Sequence, residues 1–369
     1  LNGHAIAVTT DAATFGTTNQ NSNVSISIDG KMLYSGRLGN LTEGDGLAAL
    51  SMLGVADAST VAQPEIQRSS ARITSEIIAS RIATVISTAQ RSAFRPQQTA
   101  DLGASGLSAG DKDMGIGVWA SGANTWLDNS QATGAYNATL QNFLLGADYK
   151  IANMLLLGVT VGFENNDVST YFNGGSMNSQ GFSVTPYVGL SFLDGKLTWS
   201  AMGGYGGFVN DAWRNGVISS DRVTSSYNSD RLMASSEVNG YWPVAPNWLL
   251  NGVVGVLGAW DHRGKVMESD GTVTEKNDTV LGEVKFGGGA TYTIGEFALS
   301  GSAAYHYAFV QDADIVSGLT ETDRDEVVTR FAVDWTPADY GVFTLEVNHS
   351  FGRTDVEQTT LMGSYRYAF

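Results

Sequence analysis

The side chains that most often carry catalysis are few in this chain and stand far apart. The chain has no cysteine, which excludes disulfides, thiolate chemistry and Cys-based metal sites. His4, His262, His306 and His349 fall in unrelated regions without a partner motif, and a general base needs a partner within reach. No GxSxG occurs, and the Gly-Asp-Gly-Leu stretch at 44–47 is not a hydrolase signature. We therefore expect no enzymatic activity, cofactor or metal, and a structural role for His306.

Acidic residues outnumber basic ones and are concentrated in two stretches. Residues 268–278 and 321–326 are rich in Asp and Glu. Clustered carboxylates can bind a divalent cation, although such a run is more often a solvated loop, and we favour the loop. The formal net charge of −16 argues against nucleic acid as a partner.

Four arginines lie on one predicted helix, from Pro64 to Phe94. This stretch has no glycine, and Pro64 suits the first helical position. Its apolar stripe is weak and narrow, so the helix is too polar for lipid. At about 1.5 Å per residue it would span roughly 45 Å, enough to cross a membrane inside a polar surround. The arginines are Arg68, Arg72, Arg81 and Arg91.

The composition indicates what that surround is. Charged residues make up only 16% of the chain, against about 25% in ordinary soluble domains. There is no apolar run of about 20 residues, which a transmembrane helix needs. A closed β-barrel is the other structure that satisfies backbone hydrogen bonds in lipid.

Period-two alternation recurs from about residue 112 to 369. In residues 155–163 the odd positions are Leu, Val and Phe, whereas the even positions include Gly, Thr and Glu; 182–192, 297–307 and 327–335 follow the same pattern. One face is apolar, with aromatics near its ends that indicate interfacial girdles, and the other is small or polar. This pattern fits a barrel with a polar lumen better than a soluble sandwich.

Twelve strands of this kind are predicted, an even number as in single-chain bacterial barrels. Their centres lie near residues 120, 143, 159, 186, 202, 236, 254, 288, 303, 331, 346 and 363. Short links at 151–153, 194–196, 243–246, 295–296 and 337–339 alternate with long polar ones around 165–179, 209–229, 262–278 and 311–325. Short turns are typical of the periplasmic side, so the first strand starts there.

The order of elements predicts a pass-through topology. The polar helix precedes the first strand and joins it through a Gly/Ser-rich linker at 96–111. If the helix fills the lumen, the residues before it emerge outside. The predicted units are 1–60, a passenger remnant or junction, 61–111, a pore-spanning helix and linker, and 112–369, the barrel.

Inward carboxylates are the expected partners of the helix arginines. Charges in a confined lumen are screened less than at an open surface, so pairing there could hold the helix. The alternative is that the arginines are solvated in a wet pore, and the sequence leaves both open. The candidate carboxylates are Asp148, Glu237, Glu283, Asp334 and Glu346.

Residues 112–369 resemble the translocator β-domain of autotransporters, the type V secretion proteins. The resemblance is carried in order by GVWA at 117–120, NFLLGADYK at 142–150, PYVG at 186–189 and GGYG at 203–206. It implies an all-β membrane protein, a 12-stranded antiparallel outer-membrane β-barrel with an N-terminal α-helix running through the lumen, in agreement with the strand count above.

The end of the chain resembles the signal that the barrel-assembly machinery reads on outer-membrane strands. Apolar or small residues alternate up to a terminal Phe. They are Leu361, Gly363, Tyr365, Tyr367 and Phe369.

By resemblance, the chain is an outer-membrane translocator and anchor of a Gram-negative bacterium that exports or displays an N-terminal passenger on the cell surface. The implied partners are outer-membrane lipids and lipopolysaccharide, the barrel-assembly machinery, periplasmic chaperones and its own passenger, and we expect a monomer. Some family members cut their passenger at an Asn-Asn pair near the helix. None occurs at 60–95, and Asn165-Asn166 falls in a predicted outer loop, so self-cleavage is not expected. A helix-plugged outer-membrane channel without a passenger stays open as the alternative.

Overall fold

The computed structural model describes the barrel, the helix and a small N-terminal sheet. The described residues are 6–10, 23–28, 31–37, 58–86 and 114–368, with gaps at 132–133, 152–153, 172, 216–221, 272, 275, 314–322 and 338–340. The N-terminal strands are antiparallel neighbours in the order β1-β2-β3. They are β1 Ile6–Thr10, β2 Asn23–Ile28 and β3 Lys31–Arg37.

Twelve antiparallel strands close into a barrel, as predicted. Each strand pairs with its neighbours along the chain, and the last strand pairs with the first, so no edge is left open. The barrel strands are β4 Met114–Asn129, β5 Tyr136–Ile151, β6 Leu155–Thr170, β7 Ser176–Phe192, β8 Leu197–Asn215, β9 Arg222–Ala245, β10 Trp248–Arg263, β13 Asn277–Ile294, β14 Phe297–Ala313, β15 Asp325–Trp335, β16 Val342–Phe351 and β17 Val356–Ala368. A two-stranded hairpin, β11 Val266–Met267 and β12 Val273–Thr274, lies in the β10–β13 connection.

The two faces of each strand differ as the alternation predicts. On β6, Val161 points outward and is 52% exposed, whereas the adjacent Thr160 points inward and is 1% exposed. Successive side chains of a strand point to opposite faces, so the apolar positions form the outer surface. The polar and small positions line the lumen.

The connections again form two classes, but two of the predicted long loops are largely strand. β6 continues to Thr170 and β7 begins at Ser176, whereas a loop was expected at 165–179. β8 and β9 likewise extend into 209–229. Asn165 and Asn166 pair with β5 rather than forming a turn. The polar residues there lie beyond the apolar belt, but their backbones continue the hydrogen-bonded pairing of the strands. Composition alone does not distinguish such polar strand ends from loops.

Helix α1 runs from Ala58 to Ile86, so it begins before the predicted start at Pro64. A proline inside a helix lacks one hydrogen bond and costs about 3 kcal/mol. Burial of Val61 and Ala62 in the barrel offsets that cost, which propensity rules cannot anticipate. The predicted extension from 87 to 94 lies outside the described residues.

The helix lies inside the barrel with its first residues at the long-loop end and its last at the short-turn end. Ala58 clusters with Tyr136 and Val168 near the long loops. At the other end, Ile82 packs so closely on β7 that a side chain at Gly189 would collide with it. No helix among the described residues is long and apolar enough to cross a membrane.

Candidate functional site in the barrel lumen

The central layer of the lumen is an ion-pair cluster around Arg72. The Nε atom of Arg72 donates to Glu283 at 2.9 Å, and its Nη1 lies 2.6 Å from Glu326 Oε1. The ring of His306 contacts the same Glu283 carboxylate at 2.7 Å. Arg68 adds a second guanidinium 3.7 Å from Glu283. The cluster therefore ties two successive turns of α1 to β13, β14 and β15.

A second contact ties the outer end of the helix to the β16–β17 loop. Arg353 donates two hydrogen bonds to Glu65, at 2.6 and 2.5 Å. Burial acts to lower the pKa of Arg353, but the Glu65 carboxylate raises it by more, so this pKa lies above its ordinary value. Arg68 lies 3.8 Å from the same carboxylate, which connects this contact to the central cluster.

On β6, β9 and β10, uncharged polar side chains of the helix bind a charged network of the wall. Gln67 donates to Asp261 at 2.9 Å, and Arg231 donates to that carboxylate at 2.8 Å. Arg231 also reaches Glu164 at 3.1 Å and donates to the Ser70 hydroxyl at 2.8 Å. Two helix side chains thus complete a network whose charges belong to the wall.

Nearer the short-turn end, Arg81 makes a bidentate pair with Asp148. The two hydrogen bonds are 2.7 and 2.8 Å long. The Tyr187 hydroxyl donates to the same carboxylate at 2.9 Å, and the Trp119 indole donates to Tyr187 at 3.0 Å. Planar fork-to-carboxylate pairs fix geometry as well as charge, so this contact fixes the rotation and height of the helix.

All five candidate carboxylates lie inside the barrel, but the described helix arginines, Arg68, Arg72 and Arg81, contact only two of them, Glu283 and Asp148. Glu237 pairs with Lys285 at 2.6 Å, Asp334 with Arg366 at 2.9 Å, and Glu346 with Arg330. These three were expected to meet helix arginines, yet cations on nearby strands are closer to them. Lys285 and Glu237, for example, both flank Gly255, which has no side chain to separate them.

Several lumen residues were missed at the sequence level, for different reasons. Glu326 and Arg330 lie on the same face of β15, the face that points into the lumen. The period-two alternation of the strand therefore predicts Glu326 as a lumen residue. Arg353 lies in a loop, where parity does not apply. Of the arginines predicted, Arg68, Arg72 and Arg81 have the contacts described above, whereas Arg91 lies outside the described residues.

Apolar side chains fill the lumen between the charged layers. One cluster surrounds Ile66 at the outer end, with Leu127 and Leu140 from the wall. Another cluster surrounds Ile78 and Ile82, nearer the short-turn end. Full burial of such a side chain contributes about 1.5–3 kcal/mol. The helix is therefore packed, as well as paired, inside the barrel.

The outer surface carries an aromatic ladder near the short-turn end. Trp335 stacks on Phe343 with ring centroids 5.5 Å apart, and Phe343 lies 4.7 Å from Tyr365. Of the predicted assembly-signal residues, Leu361, Gly363 and Tyr365 are exposed on the outside, Tyr367 is half-buried, and Phe369 lies outside the described residues.

Basic side chains of the protein hold the predicted acidic loop at 268–278. Glu268 pairs with Arg214, and Asp278 contacts His262 at 2.5 Å and Lys276 at 3.5 Å. Within the described part of the chain, no group of three or more His, Asp or Glu could hold a metal ion.

The family comparison identifies the barrel domain. The family described as Autotransporter beta-domain matches residues 118–366. The translocator domain of NalP from Neisseria meningitidis is similar with a TM-score of 0.61 and 13% identity, over 78% of this chain and 99% of that one. The β-domain of the Bordetella autotransporter BrkA is similar with a TM-score of 0.58 and 16% identity, over 69% and 100%. No curated protein sequence matches.

Proposed function

This chain belongs to the autotransporter β-domain family, and from that premise we propose that helix α1 is the segment that keeps a passenger attached to the pore. The domain is an outer-membrane translocator of a Gram-negative bacterium, and its passenger is exposed at the cell surface. The short-turn end of the barrel is accordingly the periplasmic end, and the long-loop end is the outer end.

The observation that carries the proposal is the burial of a polar helix inside the barrel. Arg68 is 1% exposed and Ser69 and Ser70 are fully buried, although nothing in their chemistry favours a dry interior. Breaking a buried ion pair by removing one partner costs about 3–5 kcal/mol. Because Arg72 and Arg81 are bonded to different strands, pulling the helix outward would break both contacts. The helix therefore acts as an anchor for whatever precedes it.

The remaining assignments belong to the same proposal. The proposed units are 1–60, a passenger remnant or junction, 61–111, with most of the pore-spanning helix and its linker, and 112–369, the translocator. Helix α1 itself begins at Ala58, just before the first of these boundaries. The domain acts by transport and anchoring, without catalysis, cofactor or nucleic acid. It works as a monomer, surrounded by lipid and lipopolysaccharide. During biogenesis, periplasmic chaperones deliver it, and the barrel-assembly machinery reads its last strand.

The test is the location of the N-terminus in intact cells. An epitope placed before Leu1, behind a signal peptide, should bind antibody on intact cells that express the full chain. As a matched control, the same epitope in the β9–β10 turn at 246–247 should bind antibody only after the outer membrane is permeabilised. An N-terminal epitope that also requires permeabilisation would contradict the proposal and favour a helix-plugged channel without a passenger.

A further inference from the structure

On the outer surface of the barrel, a polar face borders the apolar belt on the β5–β7 side. Phe143, Phe163 and Phe182 are aligned across these three strands and point outward. The next two outward positions of each strand, toward the long-loop end, are all polar. We call these positions the outer polar face; they are Thr139, Gln141, Asn165, Asp167, Asn178 and Gln180.

Hydrogen bonds among the side chains hold this face in one arrangement. Asn178 Nδ2 donates to Asp167 at 2.7 Å and to Asn165 at 3.2 Å. Asn165 Nδ2 in turn donates to Asp167 at 3.2 Å and to Gln141 Oε1 at 3.3 Å. Gln141 enters this network through its carbonyl oxygen, and Asp167 is exposed and has further lone pairs as a carboxylate. The face thus presents amide donors and carboxylate acceptors side by side.

The backbone beneath the face is paired strand rather than loop. Asn165 and Asp167 pair with β5 on one side and with β7 on the other. A ligand that binds side chains on such a fixed ladder has less ordering of loops to offset than one that binds mobile loops. Because aromatic girdles mark the two borders of the hydrocarbon layer, this fixed surface lies at the depth of the outer-leaflet headgroups.

The charges on this side of the barrel favour a neutral ligand over a phosphate. Beyond the phenylalanine row, none of the described outward residues of β4–β8 is Lys or Arg, whereas Asp128, Asp167 and Asp211 are exposed there. Strong phosphate binding in proteins relies on Arg, Lys or the N-terminus of a helix. Hydroxyl groups can instead donate to a carboxylate and accept from an amide. The face is therefore suited to a ligand that is rich in hydroxyls.

Exposed aromatic rings lie on both sides of the face. Phe182 is 67% exposed at the border toward the middle of the membrane, and its ring centroid lies 5.2 Å from that of Phe163. Tyr171, directly after β6, is 63% exposed, and its hydroxyl accepts a hydrogen bond from Asn137 at 2.7 Å. A sugar ring combines polar hydroxyl edges with apolar C–H faces, so polar groups flanked by aromatic rings match both parts of it.

We propose that the outer polar face binds the sugar hydroxyls of lipopolysaccharide and so fixes this glycolipid to the β5–β7 side of the barrel. The amides of Gln141 and Gln180 donate to the sugar, and the Asp167 carboxylate accepts from it. Hydrogen bonds to hydroxyls, rather than phosphate contacts, then select the glycolipid. This inference rests on the proposed function, since it uses the outer-membrane location and the orientation given there. It does not depend on passenger display, so the two can fail separately.

Native mass spectrometry of the folded full chain tests the sugar contact. The two probes are rough-type lipopolysaccharide, which carries core sugars, and lipid A, which lacks them. The natural chain should bind the lipopolysaccharide at least about 10-fold more tightly than lipid A. The triple variant Asn165→Ala, Asn178→Ala and Gln180→Ala should lose most of that preference, while its affinity for lipid A stays unchanged. If the triple variant does not fold, Gln180→Ala alone should lower the preference about 2- to 10-fold.

The matched control removes exposed polar side chains from other strands. Asp325→Ala with Glu357→Ala, on β15 and β17, should leave the preference for lipopolysaccharide unchanged. Retained heat-modifiable migration in gels would verify that each variant is a folded barrel.

Equal affinity of the natural chain for the two probes would overturn the proposal. A folded triple variant that keeps the preference would do the same, and so would a control variant that loses it. Loss of the preference on adding EDTA would also overturn direct sugar binding, because the contact would then run through a divalent cation.

Discussion

The Arg81–Asp148 pair provides the most direct test of the locked helix. Arg81→Met keeps most of the aliphatic stem but removes the guanidinium from a carboxylate that is 5% exposed. Asp148 would keep the Tyr187 hydroxyl as a donor but lose its counter-charge. Breaking a buried pair in this way costs about 3–5 kcal/mol.

Hydrogen exchange measured by mass spectrometry reports this cost at the helix itself. Opening of the C-terminal half of α1 should become roughly 100- to 4,000-fold more frequent in Arg81→Met, since each 1.4 kcal/mol is a factor of ten. The double variant Arg81→Met with Asp148→Asn should be less destabilised than the sum of the single variants, by at least about 1 kcal/mol.

Arg330→Met is the matched control, because Arg330 pairs within the wall and its side chain is 34% exposed. Its effect on helix exchange should stay below about 1 kcal/mol. Unchanged helix exchange in a correctly folded Arg81→Met variant would refute the locked helix. Additive effects of the Arg81 and Asp148 substitutions would do the same.

Further predictions concern the wall, the lipid face and assembly. Gly189→Val should destabilise the helix by about 1–3 kcal/mol through overpacking. Adding Ile82→Ala should restore part of this loss when the variants are compared by hydrogen exchange. Additive effects of the two substitutions would argue against the contact between these positions. Val161→Arg places a charge on the lipid face of β6 and should lower the free energy of unfolding in lipid by about 2–4 kcal/mol. A loss below about 0.5 kcal/mol would place this position outside the hydrocarbon layer. Tyr365→Ala should slow assembly in cells while the purified chain still folds in detergent, and equal slowing in both would point to a folding role instead.

Much of the barrel can be predicted from the sequence because strand geometry has a period of two. The outward face of β6 follows directly from Val161 and its alternate neighbours. The limits of strands are less predictable, because Asn165 and Asn166 continue the ladder of β6 while lacking the apolar character by which a membrane strand is recognised.

The sequence by itself determined the closed barrel, its twelve strands, the enclosure of a polar helix and the direction of the chain. Only the tertiary structure decided which charges meet. Arg72 contacts Glu283 and Glu326, and Glu65 contacts Arg353, because the stagger of the strands and the rotation of the helix set those distances. Parity tells which side chains enter the lumen. It does not tell at what height or angle they enter, so the ion pairs between helix and wall could not be located from the sequence.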